Sequence, residues 1–106
     1  MLIFGLKTCD TCRKAIKALP EAEFRDVRAD GIPAETLEEA HAALGDALVN
    51  RRSTSWRGLS EAERAMPAPA LIASHPTVMK RPLIHVDGRY FIGWNKGLEG
   101  EVKALL

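Results

Sequence analysis

The chain has 106 residues, enough for one domain with a core of its own, and it shows no internal repeat, low-complexity segment or linker. Fifteen Lys and Arg against fourteen Asp and Glu leave a net charge of +1, which argues against nucleic-acid binding as its main business, and no apolar run approaches membrane-spanning length. A charged-then-apolar leader is also missing, so a cytoplasmic protein is expected, and in that compartment a cysteine pair is more often catalytic or redox-sensing than structural.

Met1-Leu2-Ile3-Phe4-Gly5 is a short apolar run ending in glycine and suits a buried strand. Beyond it, Cys9-Asp10-Thr11-Cys12 holds both cysteines of the chain. Cys12, Ala15, Ile16 and Leu19 then recur at helical spacing, and Pro20 closes the helix. Cys9 therefore falls on a strand-to-helix turn, where unpaired backbone N–H groups and the positive end of the helix dipole favour a thiolate. Lys7, Arg13 and Lys14 are close in sequence and would add to the effect, so Cys9 is the candidate nucleophile. Cys12, three residues on, can reach back to it, and the pair could cycle between dithiol and disulfide. A zinc site would need two further ligands, and His41, His75 and His85 lack the usual H-x(3–5)-H spacing, so no metal is expected. Inert core cysteines fit poorly with the flanking Thr, Asp, Lys and Arg. A C-x-x-C beside a strand–helix–strand pattern reads as redox chemistry.

Glu23-Phe24-Arg25-Asp26-Val27 reads as a second strand, which the intervening helix makes parallel to the first. Asp30-Gly31 turns the chain, and Pro33 sits where the first turn of a helix tolerates it. Leu37, Ala40, Leu44 and Leu48 follow on one helical face, with Glu35, Glu38 and Glu39 toward water and a break or restart near Gly45. The stretch from Val49 to Gly58 is polar and basic around one tryptophan. It can be a solvated loop in which Trp56 plugs the edge of the core, or an anion clamp built on the planar fork of arginine, and spacing alone leaves both open. Ser60-Glu61-Ala62-Glu63 has the pattern of a capping box, and Pro67 to Ser74 reads as a further short helix.

Leu83-Ile84-His85-Val86, Asp87-Gly88 and Arg89-Tyr90-Phe91-Ile92 form a strong β-hairpin signal with a two-residue turn. Arg81 precedes Pro82 and should be extended as the strand begins; a lone arginine there is usually a surface charge. His85, isolated, reads as a strand residue rather than a ligand or base. Asn95 suits the cap of a last helix whose buried stripe is Leu98, Val102, Leu105 and Leu106. The order β-α-β, helical insert, β-β-α predicts a single α/β domain over 1–106. Its core, 1–30 and 76–106, is a thioredoxin-like fold with a four-stranded mixed sheet, and the insert spans 31–75 between the second and third strands.

Taken together, Cys9-Asp10-Thr11-Cys12-Arg13-Lys14-Ala15, Asn50-Arg51-Arg52-Ser53-Thr54-Ser55-Trp56, Arg81-Pro82-Leu83 and Gly93-Trp94-Asn95 resemble the arsenate reductase (ArsC)/Spx family over nearly the full chain. Two of its branches look most similar: small ArsC-like reductases of the YffB type, and Spx, a redox-sensing regulator with C-x-x-C that binds RNA polymerase. The resemblance implies Cys9 as nucleophile, Cys12 as the second cysteine of Spx-type members, Arg52 as a loop arginine beside the site, and Arg81 as the arginine that holds an oxyanion or glutathione. It implies a cis Pro82 that offers backbone to a glutathione-like peptide, and a binding surface of Thr8, Thr11, Arg52, Lys80, Arg81 and Pro82.

The function so implied is a glutathione-dependent thiol-disulfide reductase with Cys9, Cys12 and Arg81 at its centre. Glutathione is the co-substrate and no cofactor is bound. The partner is a small-molecule or protein disulfide, with glutaredoxin or RNA polymerase as further partners, no direct nucleic acid, no membrane, and a monomer. The alternative is an Spx-like regulator in which a Cys9–Cys12 disulfide changes a protein-binding surface. Arsenate reduction is a third reading, set back by one departure: arsenate reductases of the family resemble a three-arginine site with the third arginine after the last strand, where this chain has Gly93-Trp94-Asn95-Lys96-Gly97. Lys96 there is a point charge, not a fork.

Overall fold

A computed structural model describes all residues, 1–106. Leu2–Gly5 forms β1, flanked by β2 (Glu23–Asp26) in parallel and by β3 (Leu83–Val86) in antiparallel, and β4 (Arg89–Ile92) pairs antiparallel with β3. The spatial order is β2-β1-β3-β4, the mixed four-stranded sheet that the sequence pattern predicts. The hairpin turn falls at Asp87-Gly88, both with positive φ (51° and 73°), as a primed two-residue turn requires.

Side-chain alternation along the strands divides the core. Ile3 and Ile84 point to one face, where Ala15 and Leu19 of α1 (Asp10–Ala18, with Leu19 as its cap) and Val102 of the C-terminal helix meet them. Phe4 and Leu83 point to the other face, which the insert covers through α3 (Ala34–Leu44), the 3₁₀ turn Gly45–Leu48 and α6 (Ala68–Ser74), with Leu37, Ala40, Leu48, Leu71 and Ile72 fully buried. The insert is thus the second helical layer of the fold. Each fully buried Leu or Ile contributes roughly 1.5–3 kcal/mol relative to leaving it in water.

Two expectations need correction. Val27 does not extend the second strand. Asp26 accepts hydrogen bonds from the N–H groups of Arg28 and Ala29 (2.9 and 3.1 Å) and so starts a single helical turn, α2 (Val27–Asp30), whose first residue is buried. Leu106, assigned to the buried stripe of the last helix, is 63% exposed: α7 (Lys96–Lys103) ends before the last two leucines, and of these only Leu105 packs inward, with Leu98 and Val102 of the helix itself. Ser60 and Glu63 form the capping box of α5 (Glu61–Arg64), and Asn95 caps α7 through the Leu98 N–H at 2.8 Å. No helix is long and apolar enough to cross a membrane.

Candidate functional site

At the C-terminal end of β1 the chain turns through Leu6–Thr8, and the Cys9 N–H donates to the Leu6 carbonyl at 3.1 Å. Cys9, extended at φ −85° and ψ 121°, is the N-cap of α1, so its sulfur faces the N–H groups of the first helical turn. Cys12 lies in that first turn and is wholly buried, packed so closely under β1 that a Cβ on Gly5 would lie 2.5 Å from its Sγ. Both thiols are free.

The two cysteines are driven apart in acidity. Partial burial opposes ionisation of Cys9 but is outweighed by the N–H of Cys12, the Cys12 thiol, the Arg81 guanidinium and the N–H of Thr11, which hold the Cys9 thiol below the ordinary thiol range. Cys12 goes the other way: burial, together with the hydrogen bond to and negative charge of Cys9, pushes it up to about 12. The site thus sets a thiol of lowered pKa directly above a buried thiol of raised pKa. The nearby cations expected from the sequence are not the source of the effect. Arg13 is turned away, its Nε donating to the Lys7 carbonyl at 2.8 Å and its guanidinium 3.9 Å from Asp10. The cation that acts is Arg81, distant in sequence.

How Arg81 arrives there follows from the insert. Asn50 N–H donates to Val78 O (2.8 Å) and Lys80 N–H to Leu48 O (2.7 Å), so residues 48–50 are laced to 78–80 about a bridge between Val49 and Met79. Ser55, in α4 (Thr54–Arg57), and Thr77 share a hydrogen bond of 2.7 Å, and the Thr77 carbonyl accepts from Arg81 Nη1 at 2.9 Å. The Arg81-Pro82 peptide is cis. Arg81 Nε is buried and has no partner, an unused donor on a cation beside the Cys9 sulfur.

A cleft of about 390 Å³ opens over this pair. Cys9 and Thr11 line one wall, Lys80 and Arg81 another, and Asn50, Ile92 and Gly93-Trp94-Asn95 complete it. Of the residues expected from the sequence, the fold brings together Cys9, Thr11, Lys80 and Arg81 in the cleft, with Cys12 directly beneath. Thr8 is exposed on the turn and does not line it. Arg52 does not line it either: it is exposed and belongs, with Arg51, to an adjoining groove that shares Asn50 and Lys80 with the cleft. Pro82 is buried, and its carbonyl accepts the Gly93 N–H at 2.9 Å, so its backbone is already used. The N–H and C=O of Arg81, which bond to no other backbone group, are the ones left beside the cleft. Trp56 packs on the core edge with Arg51 and Arg64 over its ring (5.7 and 5.5 Å). Asn50, Ile92, Trp94 and Asn95 were not expected as site residues. Asn50, Trp94 and Asn95 stand inside the motif blocks that carry the family resemblance, but nothing local to them marks a role. His85 is a strand residue stacked on Tyr90, ring centroids 4.2 Å apart.

The ArsC family model matches residues 4–100. A Haemophilus influenzae protein described as uncharacterized is 40% identical over 103 residues, 89% of this chain and 90% of that one. Among solved structures, the chain is similar to a protein named YffB (31% identity, TM-score 0.85, 99% of this chain and 98% of that one). It is also similar to an arsenate reductase (ArsC) related protein from Brucella melitensis (31% identity, TM-score 0.70, 98% and 94%). The arsenate reductase of Vibrio cholerae, at 17% identity and TM-score 0.70 over 99% of this chain and 96% of that one, shares the fold.

Proposed function

The chain belongs to the ArsC family, and within it we propose a thiol-disulfide reductase that uses glutathione as co-substrate and Cys9 as nucleophile. The observation that carries this reading is the Cys9 sulfur at the start of α1 facing Arg81, whose buried Nε has no partner within the protein. A thiolate is the attacking species in disulfide exchange, and the groups that lower the Cys9 pKa raise its thiolate share at a given pH above that of an ordinary thiol. On a glutathionylated substrate, Cys9 Sγ attacks the glutathione sulfur. The new S–S bond forms as the old one breaks, and the substrate sulfur leaves as a thiolate that takes a proton from water. Arg81 and Lys80 meet the carboxylates of the bound tripeptide.

A second glutathione thiolate then attacks the glutathione sulfur of the adduct, releasing oxidised glutathione and regenerating the Cys9 thiolate. Cys12 is less suited to that step. Burial, the largest reason for its raised value of about 12, persists when Cys9 is in a mixed disulfide, so its thiolate is scarce near neutral pH. Its role is the hydrogen bond to the Cys9 thiolate. Arsenate reduction is not proposed, because the cleft holds one guanidinium, Arg81, and one ammonium, Lys80, and Lys96 lies outside it.

The test is glutathione-dependent turnover of a glutathionylated peptide by wild type, Cys9→Ser and Cys12→Ser. Turnover should vanish with Cys9→Ser and persist, slowed, with Cys12→Ser. A wild type that turns over no disulfide while Cys9 remains readily oxidised would sink the reductase and favour a redox-sensing regulator.

A further inference from the structure

The Cys9 cleft is the middle of a longer trough. On one side it shares Trp94 and Asn95 with a groove of about 450 Å³ between α1 and α7, lined by Lys14, Lys17 and Lys96. On the other side it shares Asn50 and Lys80 with a groove of about 600 Å³ lined by Arg51 and Arg52. With Lys80 and Arg81 in the cleft itself, seven of the chain's fifteen Lys and Arg lie along this path, against one of its fourteen Asp and Glu, Glu99. None of the seven makes an ion pair, whereas Glu99 is neutralised by Lys103 at 3.1 Å. A chain of net charge +1 has gathered nearly half of its cations along one trough centred on Cys9.

Resting on the reductase reading, we infer that the substrate is a disulfide or glutathionylated cysteine carried on an acidic polypeptide, which lies along the trough with its sulfur at Cys9. Glutathione has two carboxylates, which Lys80 and Arg81 can meet within the cleft. The remaining five cations lie beyond it on both sides, where only the chain of a larger ligand reaches. An anionic ligand of this length could also be a nucleic acid. The polypeptide is favoured because the trough is centred on a nucleophile that needs a sulfur to attack, and because one tryptophan, Trp94, is the only aromatic ring along it, where single-strand binding uses several. A surface of single-signed charge with a reactive centre steers oppositely charged ligands and raises their encounter rate, and it loses that advantage as salt screens it.

The test uses glutathionylated peptides of equal length whose cysteine is flanked by Glu and Asp, by Ser and Gly, or by Lys and Arg. At low salt, kcat/KM for the acidic peptide should exceed that for the neutral one on the order of tenfold, through KM, and the ratio should fall toward one at high salt. The triple variant Lys14→Glu/Lys17→Glu/Lys96→Glu, which leaves four cations against three new carboxylates along the trough, should abolish the preference for the acidic peptide. Equal kcat/KM for all three peptides at low salt would overturn the inference and leave the reductase standing. If no peptide and no small disulfide is turned over, the reductase reading fails. The trough is then judged by fluorescence anisotropy of the labelled, unglutathionylated acidic peptide on Cys9→Ser protein, where absence of salt-sensitive binding overturns it. A labelled single-stranded RNA that binds more tightly than the acidic peptide, and is lost in the triple variant, would also overturn it in favour of a nucleic-acid site.

Discussion

Replacing Gly5 by alanine tests the link between the buried strand and the chemistry. A Cβ at that position would lie 2.5 Å from Cys12 Sγ and 3.3 Å from Cys12 Cβ, in a part of the core where Cys12 has no exposed surface to retreat toward. Forcing an extra carbon into such a place costs about 1–3 kcal/mol. Restricting the unfolded chain by Gly→Ala returns about 0.4–1 kcal/mol. The expected net loss is therefore between about 0 and 2.6 kcal/mol, with a middle value of about 1.3 kcal/mol, measured by urea denaturation. Because the displaced atom is the sulfur that donates to Cys9, the same substitution should raise the pKa of Cys9, read from the pH dependence of iodoacetamide alkylation. Repeating Gly5→Ala in a Cys12→Ala background removes the sulfur and leaves the 3.3 Å contact to the residue 12 Cβ and an ordinary 3.7 Å contact to Phe24, so most of the stability cost should disappear. If Gly5→Ala costs the same with and without the Cys12 sulfur, the close approach is not what fixes Gly5. If Cys12 is displaced and the alkylation profile does not move, the thiol-to-thiolate hydrogen bond is not part of the site.

Four further outcomes are expected. The Cys9 pKa is lowered, so its thiolate persists to lower pH than that of an ordinary thiol and is lost as pH falls through that lowered value; Arg81→Met and Arg81→Lys should move this fall to higher pH, Lys less than Met, as read from alkylation rates. Leu48→Ala should cost about 2–5 kcal/mol in urea denaturation and raise KM, since the Leu48 carbonyl holds the Lys80 N–H and loosening it frees the wall of the cleft. Asn95→Ala should destabilise by about 1 kcal/mol through the lost cap on α7, with Asn95→Asp close to wild type in thermal melts. Asp26 and Glu63, held below the usual carboxylate range first by the N–H groups of Ala29 and of Ser60 respectively, contribute stability that is present above that range and is lost as pH falls through their folded values; Asp26→Ala and Glu63→Gln should flatten the acid limb of the stability curve.

Much of the frame was legible because its signals are local. Periodicity in the first nineteen residues marks β1, α1 and the turn between them, and the Asp87-Gly88 turn with alternation on both sides marks the hairpin. The extent of β2 was misjudged because hydrophobicity at Val27 fits a strand and a buried helical turn equally well, and what separates them is the Asp26 cap. Leu106 was misassigned because helical spacing stops at Lys103, and beyond it the chain can turn only one of the two leucines, Leu105, toward the core.

At the site, the sequence alone marked the candidate nucleophile: Cys9 stands at a helix start, and that much follows from spacing. Spacing did not determine which cation supports it; only the family resemblance pointed to Arg81. Lys7, Arg13 and Lys14 are neighbours along the chain, yet Arg13 turns to its own loop, and Arg81, by spacing a lone arginine, is carried to Cys9 by residues 48–50 lacing onto 78–80 and by the Thr77 carbonyl. Only the tertiary structure shows as well that a net charge of +1 hides a cationic trough, because a sum over the chain carries no information about position, and it is packing from both faces of the sheet that brings α1, α7 and the insert loop around one sulfur.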